Sequence, residues 1–317
     1  MFKKNKKVPL IMVVKRKVNI APVLLFAFRR PESTKKVFEQ IRIAKPSRYF
    51  LYVDGPRNNE EKIKVDLVKK IASNVDWPCE FKTFFRTSNA GINGGLDVMK
   101  WFIEKAVKGI ILEDDAVPNQ DFFRFCSDLL DKYKDDERIM YINGCNFQRG
   151  WSRDESSYYF SKYPHPKGFA IWKRSWDKYD YEMRYYLEFI KYNRIGDVTK
   201  NKIEKFILKK SLSDAYYKLP EAADIRWLFT LLTNNGLAIT PNKNLVRDIG
   251  FEKDAEHMRK IDSYYSLPSE SISFPLKHPK LMIRDDVSDV RHFRWLFTKK
   301  FKKHFLIKTW LYKLLNL

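Results

Sequence analysis

Cysteine is scarce in this 317-residue chain: Cys79, Cys126 and Cys145 are its three, set far apart. Their spacing supplies neither a disulfide framework nor a paired-thiol metal site, and it fits a reducing, cytoplasmic setting. Long apolar runs are missing too. The longest, Val8–Val14 and Ala21–Phe28, are strand-sized, well short of the ~18 residues that a membrane-crossing helix needs. No cleavable leader is expected, because the basic, apolar start runs into Lys15-Arg16-Lys17 rather than into small residues. Repeats and low-complexity linkers are absent. A hydrophobic content of 44%, with 15% aromatics, excludes a disordered chain. Acids are absent from both ends: residues 1–20 carry seven Lys or Arg, residues 291–317 carry eight, and neither segment has an Asp or Glu. Those ends account for 15 of the net +22 charges, so the middle, with 46 basic against 39 acidic side chains, reads as an ordinary globular unit.

What is present between Ala21 and Leu112 is an alternation of short apolar runs with helix-period segments. Ala21–Phe28, Arg48–Val53, Glu80–Phe85 and Gly109–Leu112 read as strands. Between them, Val37, Phe38 and Ile41, then Ile63, Leu67, Val68 and Ile71, then Leu96, Met99, Phe102, Ile103 and Ala106 recur at helical spacing. This β-α-β-α-β-α-β pattern calls for an α/β fold, a mostly parallel sheet with helices on both faces. Further along, Asp121–Tyr133 reads as a helix with Asp121 at its N-cap, and Arg138–Ile142 as a short strand. An aromatic stretch from Trp151 to Trp176, helical sequence up to Leu219, a helix over Ala223–Thr233 and a strand over Leu237–Thr240 complete the unit.

Open parallel sheets bind ligands outside the carboxyl ends of their strands. The residues after the four strands are Arg29-Arg30-Pro31, Asp54-Gly55-Pro56-Arg57, Arg86 through Asn89 to Gly91, and Glu113-Asp114-Asp115. Any one such cluster reads as a wet loop; four on one sheet edge read as a site. The sharpest is Glu113-Asp114-Asp115, three carboxylates delivered together by an apolar strand. Their repulsion calls for a cation, and hard oxygen ligands suit Mg²⁺ or Mn²⁺. The plainer alternative is a solvated turn capping the next helix.

With Val117-Pro118 and Phe122-Phe123 after it, this acidic turn resembles the metal-binding turn of GT-A nucleotide-sugar glycosyltransferases. It is similar in particular to N-acetylglucosaminyltransferases with a Glu-Asp-Asp motif and to bacterial family 2 type enzymes. Phe28-Arg29-Arg30-Pro31 and Val53-Asp54-Gly55 match in order. Gly168-Phe169-Ala170-Ile171-Trp172 resembles the bacterial Gly-Trp-Ala-Thr-Trp segment, and Asp224 with Trp227 resembles Trp-Asp-x-x-Trp. Ile249-Gly250-Phe251 followed by His257 resembles a late glycine and histidine element. The chain departs from the pattern at Ala222 and Ala223, where larger residues including Trp are usual, and at Glu256, where Thr is usual.

The resemblance implies a GT-A catalytic domain over 21–260, with a nucleotide-binding half (21–115) and an acceptor-binding half (116–260). It would be flanked by a basic extension (1–20) and a C-terminal extension (261–317). It implies that Asp115 ligates Mn²⁺ or Mg²⁺ at the donor diphosphate, with Asp114 facing the ribose and Glu113 the donor sugar. Asp54 would hold the base, most often uracil, in a pocket bordered by Phe28, Arg29 and Asn89. Asp224 is the implied general base, its plainer role being the N-cap of a helix starting at Ile225. His257 is the implied ligand of metal or diphosphate, or else a surface side chain. Gly168, Phe169 and Trp172 would form the acceptor side, where Trp172, Trp176, Trp151 and Tyr158 offer either flat platforms for sugar rings or core packing.

The resulting expectation is a metal-dependent, inverting transferase that moves a sugar from a nucleotide sugar, such as a UDP-sugar, to a glycan acceptor. The setting would be bacterial surface polysaccharide or lipooligosaccharide synthesis. Residues 291–317 interleave their basic side chains with Phe293, Trp295, Phe297, Phe301, Phe305, Trp310 and Leu314. An amphipathic basic helix there suits an anionic membrane surface on the cytoplasmic side, and with no recognised module, nucleic acid is not expected as a partner. The alternatives are a sugar nucleotidyltransferase of the same fold and a non-catalytic binder of polyanions. The first usually has a Gly-rich first loop in place of Phe28-Arg29-Arg30-Pro31, and the second would be repelled by the acidic turn.

Overall fold

The structure, a computed structural model, describes residues 19–218, 222–250 and 267–294. In the first half the predicted alternation is realised. β1 (Val23–Ala27), β2 (Arg48–Val53), β3 (Glu80–Phe85) and β4 (Lys108–Glu113) alternate with α1 (Pro31–Ala44), α2 (Asn59–Ala72) and α3 (Ile92–Ala106). β3-β2-β1-β4 are parallel neighbours, with Leu24 of β1 registered against Phe50 and Ile111. Successive side chains of a strand point to opposite faces, and both faces are covered, which is why β1, β2 and β4 read as continuous apolar runs. Leu25, Leu51 and Leu112 pack with Val37, Phe38 and Ile41 of α1 and Val65 and Val68 of α2. Leu24, Phe50 and Ile111 pack with Val98, Phe102 and Ile103 of α3. α1 starts with Pro31, whose fixed φ suits a first turn, and ends at Lys45 (φ 48°) just before Pro46.

The second half is where the expectations need amendment. α4 (Gln120–Lys132) is capped by Asn119, whose side chain accepts from Phe122 N at 3.1 Å, not by Asp121. Asp121 sits in the first turn and accepts from Ile272 N at 3.0 Å. The sheet runs on as β8-β6-β9-β7, from β6 (Ile139–Asn143), β7 (Tyr158–Ser161), β8 (Phe169–Trp172) and β9 (Leu237–Pro241). β8 and β7 are antiparallel insertions between and beside parallel strands, and at four residues each they are too short to show a period. β5 (Ala116–Pro118) and β10 (Val246–Asp248) form a separate antiparallel pair.

Short helices α5 (Lys173–Trp176), α6 (Tyr186–Lys191) and α7 (Ile195–Val198) precede α8 (Lys202–Tyr217) and α9 (Ala223–Thr233). α9 lies between two layers: Trp227 and Leu231 face the sheet, while Leu228 and Phe229 face Leu208 and Leu212 of α8. Residues 267–294 pack on this body, with Asp285 N donating to the Phe160 carbonyl (2.8 Å) and Ser157 N to that of Lys277 (2.7 Å) along the outer edge of β7. Among the described residues no helix is long and apolar enough to cross a membrane.

The helical segment 286–294 delivers His292 beside His165, with ring centroids 4.6 Å apart in a buried site shared with Phe147 and Tyr163. Burial pushes the His165 pKa down to about 3, from an ordinary 6.5. Burial, with His165 and Lys162 nearby, drives His292 well below its usual value. Both rings are therefore neutral in the fold, while an unfolded chain protonates them below about 6.5. Their contribution is complete above that pH and is lost as pH falls toward 3, by about 1.4 kcal/mol per pH unit for His165. Urea unfolding at about pH 7 and about pH 5 should show a larger loss in the wild type than in His165→Phe, by about 1–2 kcal/mol. Equal losses in the two proteins would remove this account.

Candidate functional site

The carboxyl ends of β1, β2 and β4 open into a cleft of about 820 Å³. At one end, Asp54 follows β2 and is buried. Its Oδ1 accepts from Gly55 N (2.8 Å), Ala90 N (3.1 Å) and the Tyr52 hydroxyl (3.2 Å), and its Oδ2 from Asn89 Nδ2 (2.9 Å). The carboxylate thus ties the loop after β3 to the end of β2. Gly55 is required there, because a Cβ would lie 2.3–2.5 Å from the backbone of Ser88. Phe28 forms the neighbouring wall, with the guanidinium groups of Arg29 (5.8 Å) and Arg57 (5.4 Å) near its ring. Arg57 also grips Glu61, whose carboxyl it holds down at about 2 through side-chain hydrogen bonds.

The centre of the cleft is a charge cluster. Asp114 Oδ2 accepts from Phe28 N at 3.0 Å, and its Oδ1 lies 3.4 Å from Arg30 Nη1. Both oxygens of Asp115 are taken by cations: Oδ2 by Arg30 Nη1 at 2.6 Å and Oδ1 by Lys167 Nζ at 2.7 Å. Lys167 also reaches Glu113 Oε2 at 2.6 Å. A fourth carboxylate, the buried Asp248 of β10, accepts from Gly250 N at 2.8 Å. A Cβ on Gly250 would lie 2.5 Å from Asp115 Oδ2 and 3.1 Å from Asp248 Oδ1, so the glycine leaves room for both acids.

Burial and the neighbouring Asp115 raise Asp114 to about 7 against the pull of Arg30. Burial raises Asp248 to about 6, with Lys167 pulling it down and Asp115 pushing it up. Burial alone would raise Asp115 as well, but Lys167 and Arg30 outweigh it and hold Asp115 below the usual carboxylate range. Lys167 is held well above its usual value, because Glu113, Asp115 and Asp248 outweigh its own burial.

Among the described residues no three His, Cys, Asp or Glu side chains converge as ready metal ligands, since Arg30 and Lys167 span Asp115. The donor chemistry nevertheless fits a hard divalent cation. All the acids offer oxygen, and among the described residues Glu113, Asp114, Asp115 and Asp248 share two nearby cations, Arg30 and Lys167. A divalent cation would supply further positive charge beside these oxygens.

The other end is aromatic. Tyr141 stacks on Phe169 (4.8 Å), and Trp227, Tyr179 and Trp176 continue the wall at centroid spacings of 4.7–5.4 Å. At its rim, exposed Asp224 lies in the first turn of α9. That helix begins after Ala222 with no side-chain cap, so Asp224 is not its N-cap; its Oδ1 accepts from Ile225 N at 2.9 Å.

Of the sequence-derived candidates, Phe28, Asp54, Asn89, Glu113, Asp114, Asp115, Phe169 and Asp224 line this one cleft. Arg29 stands behind Phe28, 3.4 Å from Glu61. Gly168 has φ 66° and supports the wall through its carbonyl, which accepts from Gly144 N at 2.8 Å. Trp172 does not fit the role of sugar platform. Strand alternation in β8 turns Phe169 and Ile171 toward the cleft face and Trp172 away, onto α4, where its Nε1 donates to the Leu130 carbonyl at 3.0 Å. Tyr158 is likewise core, whereas Trp176 lines the cleft. His257 lies outside the described residues. Sequence reasoning missed Lys167, Asp248, Tyr141 and Tyr179 and did not single out Arg30. The available signal was adjacency: Lys167 immediately precedes Gly168, and Asp248 immediately precedes Ile249-Gly250.

No protein-family model matches the chain, and neither does any curated protein. Solved structures that resemble it include GalNAc-T7 with UDP, GalNAc and Mn²⁺, at 11% identity over 71% of this chain and 43% of that one, TM-score 0.43. The bifunctional glycosyltransferase WbbM is similar at 11% identity over 55% and 35%, TM-score 0.28. An active-site mutant of LgtC is similar at 11% identity over 59% and 69%, TM-score 0.30. The chain spans less than half the length of the first two.

Proposed function

We propose that the protein is a metal-dependent, inverting glycosyltransferase of GT-A type that uses a nucleotide sugar, UDP-linked, to glycosylate a hydroxyl of a glycan acceptor. Its place would be bacterial surface polysaccharide or lipooligosaccharide synthesis. The observation that carries the reading is the order of chemistry along one cleft. The Asp54 carboxylate with Asn89 stands at one end, a carboxylate-rich cluster with Arg30 and Lys167 at the centre, and an aromatic wall rimmed by Asp224 at the other. That order suits base, diphosphate and acceptor sugar in turn.

In this reading Asp54 and Asn89 orient the base, and Phe28 offers it a flat face. Arg30 and Lys167 are within the cleft to meet the diphosphate. Asp115, with Asp248 and the adjacent acids, would hold Mn²⁺ or Mg²⁺. When bound, that ion supplies Lewis-acid charge for the departing diphosphate, worth several kcal/mol. Asp224 takes the proton of the acceptor hydroxyl as its oxygen bonds to the anomeric carbon, while the sugar–phosphate bond breaks and its electron pair leaves with the diphosphate. The aromatic wall from Tyr141 to Trp176 excludes water and offers apolar faces to sugar rings. The basic ends, residues 1–20 and 291–317, support an anionic membrane surface as the working location.

Calorimetric titration of UDP should show binding with Mn²⁺ that is lost with EDTA and in Asp115→Asn; the absence of UDP binding under every condition would refute the nucleotide site. Asp224→Asn should lower kcat by about 10²–10⁴ with little change in donor KM or melting temperature. An unchanged kcat would remove Asp224 as the base. Sedimentation with vesicles should show binding to anionic but not neutral lipid, weakened by salt and lost on removal of residues 295–317. Equal binding to both lipids would exclude the charge-driven contact.

A further inference from the structure

Lys167 stands in the turn between Pro166 and β8, and its backbone is pinned from several sides. Cys145 Sγ donates to the Lys167 carbonyl at 3.1 Å. Gly168, at φ 66°, packs so closely that a Cβ would lie 2.8 Å from Val246 Cγ2. From this fixed base the side chain reaches into the cleft, 24% exposed, and bridges Glu113 and Asp115 at 2.6 and 2.7 Å. Its four-carbon stem carries a compact point charge with rotatable donors, unlike the planar fork of Arg30. One ammonium thus occupies the Asp115 oxygen facing it and neutralises a second acid at the same time.

A divalent cation arriving alone must displace that ammonium from both carboxylates, leaving a half-buried charge without its partners, which is strongly unfavourable. A cation arriving with a nucleoside diphosphate brings new oxygens for the displaced ammonium. On the transferase reading above, we infer that Lys167 is a charge gate, a positioning residue that couples the divalent cation to the nucleotide by holding Asp115 until a diphosphate takes the ammonium over. Coupling of this kind is reciprocal: UDP strengthens Mn²⁺ binding by the same factor as Mn²⁺ strengthens UDP binding, typically about 5- to 150-fold.

The test is calorimetry with Mn²⁺ alone, UDP alone and both, on the wild type, Lys167→Met and Lys167→Arg. In the wild type, Mn²⁺ alone should bind weakly and UDP should strengthen it. In Lys167→Met, Mn²⁺ alone should bind at least about tenfold tighter, UDP alone more weakly, and the coupling factor should fall toward unity. Lys167→Arg keeps the charge and should keep the coupling. Should Lys167→Met melt early, Lys167→Gln keeps a donor against Glu113 and Asp115 without the charge and should read the same way. Mn²⁺ affinity in the uncharged variants no greater than in the wild type overturns the gate while leaving the transferase reading standing. A wild type that binds no UDP with or without Mn²⁺ overturns both.

Discussion

Four carboxylates gathered beside two cations, Arg30 and Lys167 among the described residues, form the constraint around which this molecule is arranged. Glu113 ends β4, Asp114 and Asp115 follow it in the turn, and Asp248 arrives on β10, far along the chain. Concentrating like charge away from water is costly unless it is paired, and the fold supplies Arg30 at the start of α1 and Lys167 before β8 as counter-ions. Neither suffices alone. Burial, with repulsion from Asp115 added to it, raises Asp114 to about 7 and Asp248 to about 6, and the crowding of acids makes the cluster receptive to further positive charge.

The surrounding architecture serves to hold that cluster still. β4 lies mid-sheet between β1 and the antiparallel insertion β8, so its register is specified from both sides. The β5–β10 pair then folds Asp248 back over the acidic turn, with Ile249 N donating to the Asp115 carbonyl at 2.9 Å. α9, gripped between the sheet and α8, sets the opposite rim of the cleft. The edge of β7 is covered by residues 277–285, which also carry the chain toward the buried His165–His292 contact. Site and fold meet at His165, since Pro164 and Pro166 on either side of it line the same cleft.

Much of the first half was legible in the sequence. Continuous apolar runs mark strands covered on both faces, helical spacing marks the faces that cover them, and the residues after each strand must then lie on one edge. Asp54, Asn89, Glu113, Asp114 and Asp115 followed from that logic and share one cleft. The second half was legible only as motifs. Trp172 was misassigned because its direction depends on the pairing of a four-residue strand, and a shift of one residue in register reverses every side chain.

By itself, the sequence determined the alternating α/β pattern, the polar sheet edge, the acid-free basic ends and the triple carboxylate, because these depend on periodicity and composition along a short stretch of chain. Only the tertiary structure decided which charges meet. Lys167 lies 54 residues from Glu113 and 52 from Asp115, and Asp248 is further still. Their encounter follows from antiparallel pairings of three and four residues, which leave no periodic trace in the sequence. Coulomb energy depends on distance in space and on burial, and neither quantity exists until the chain has folded.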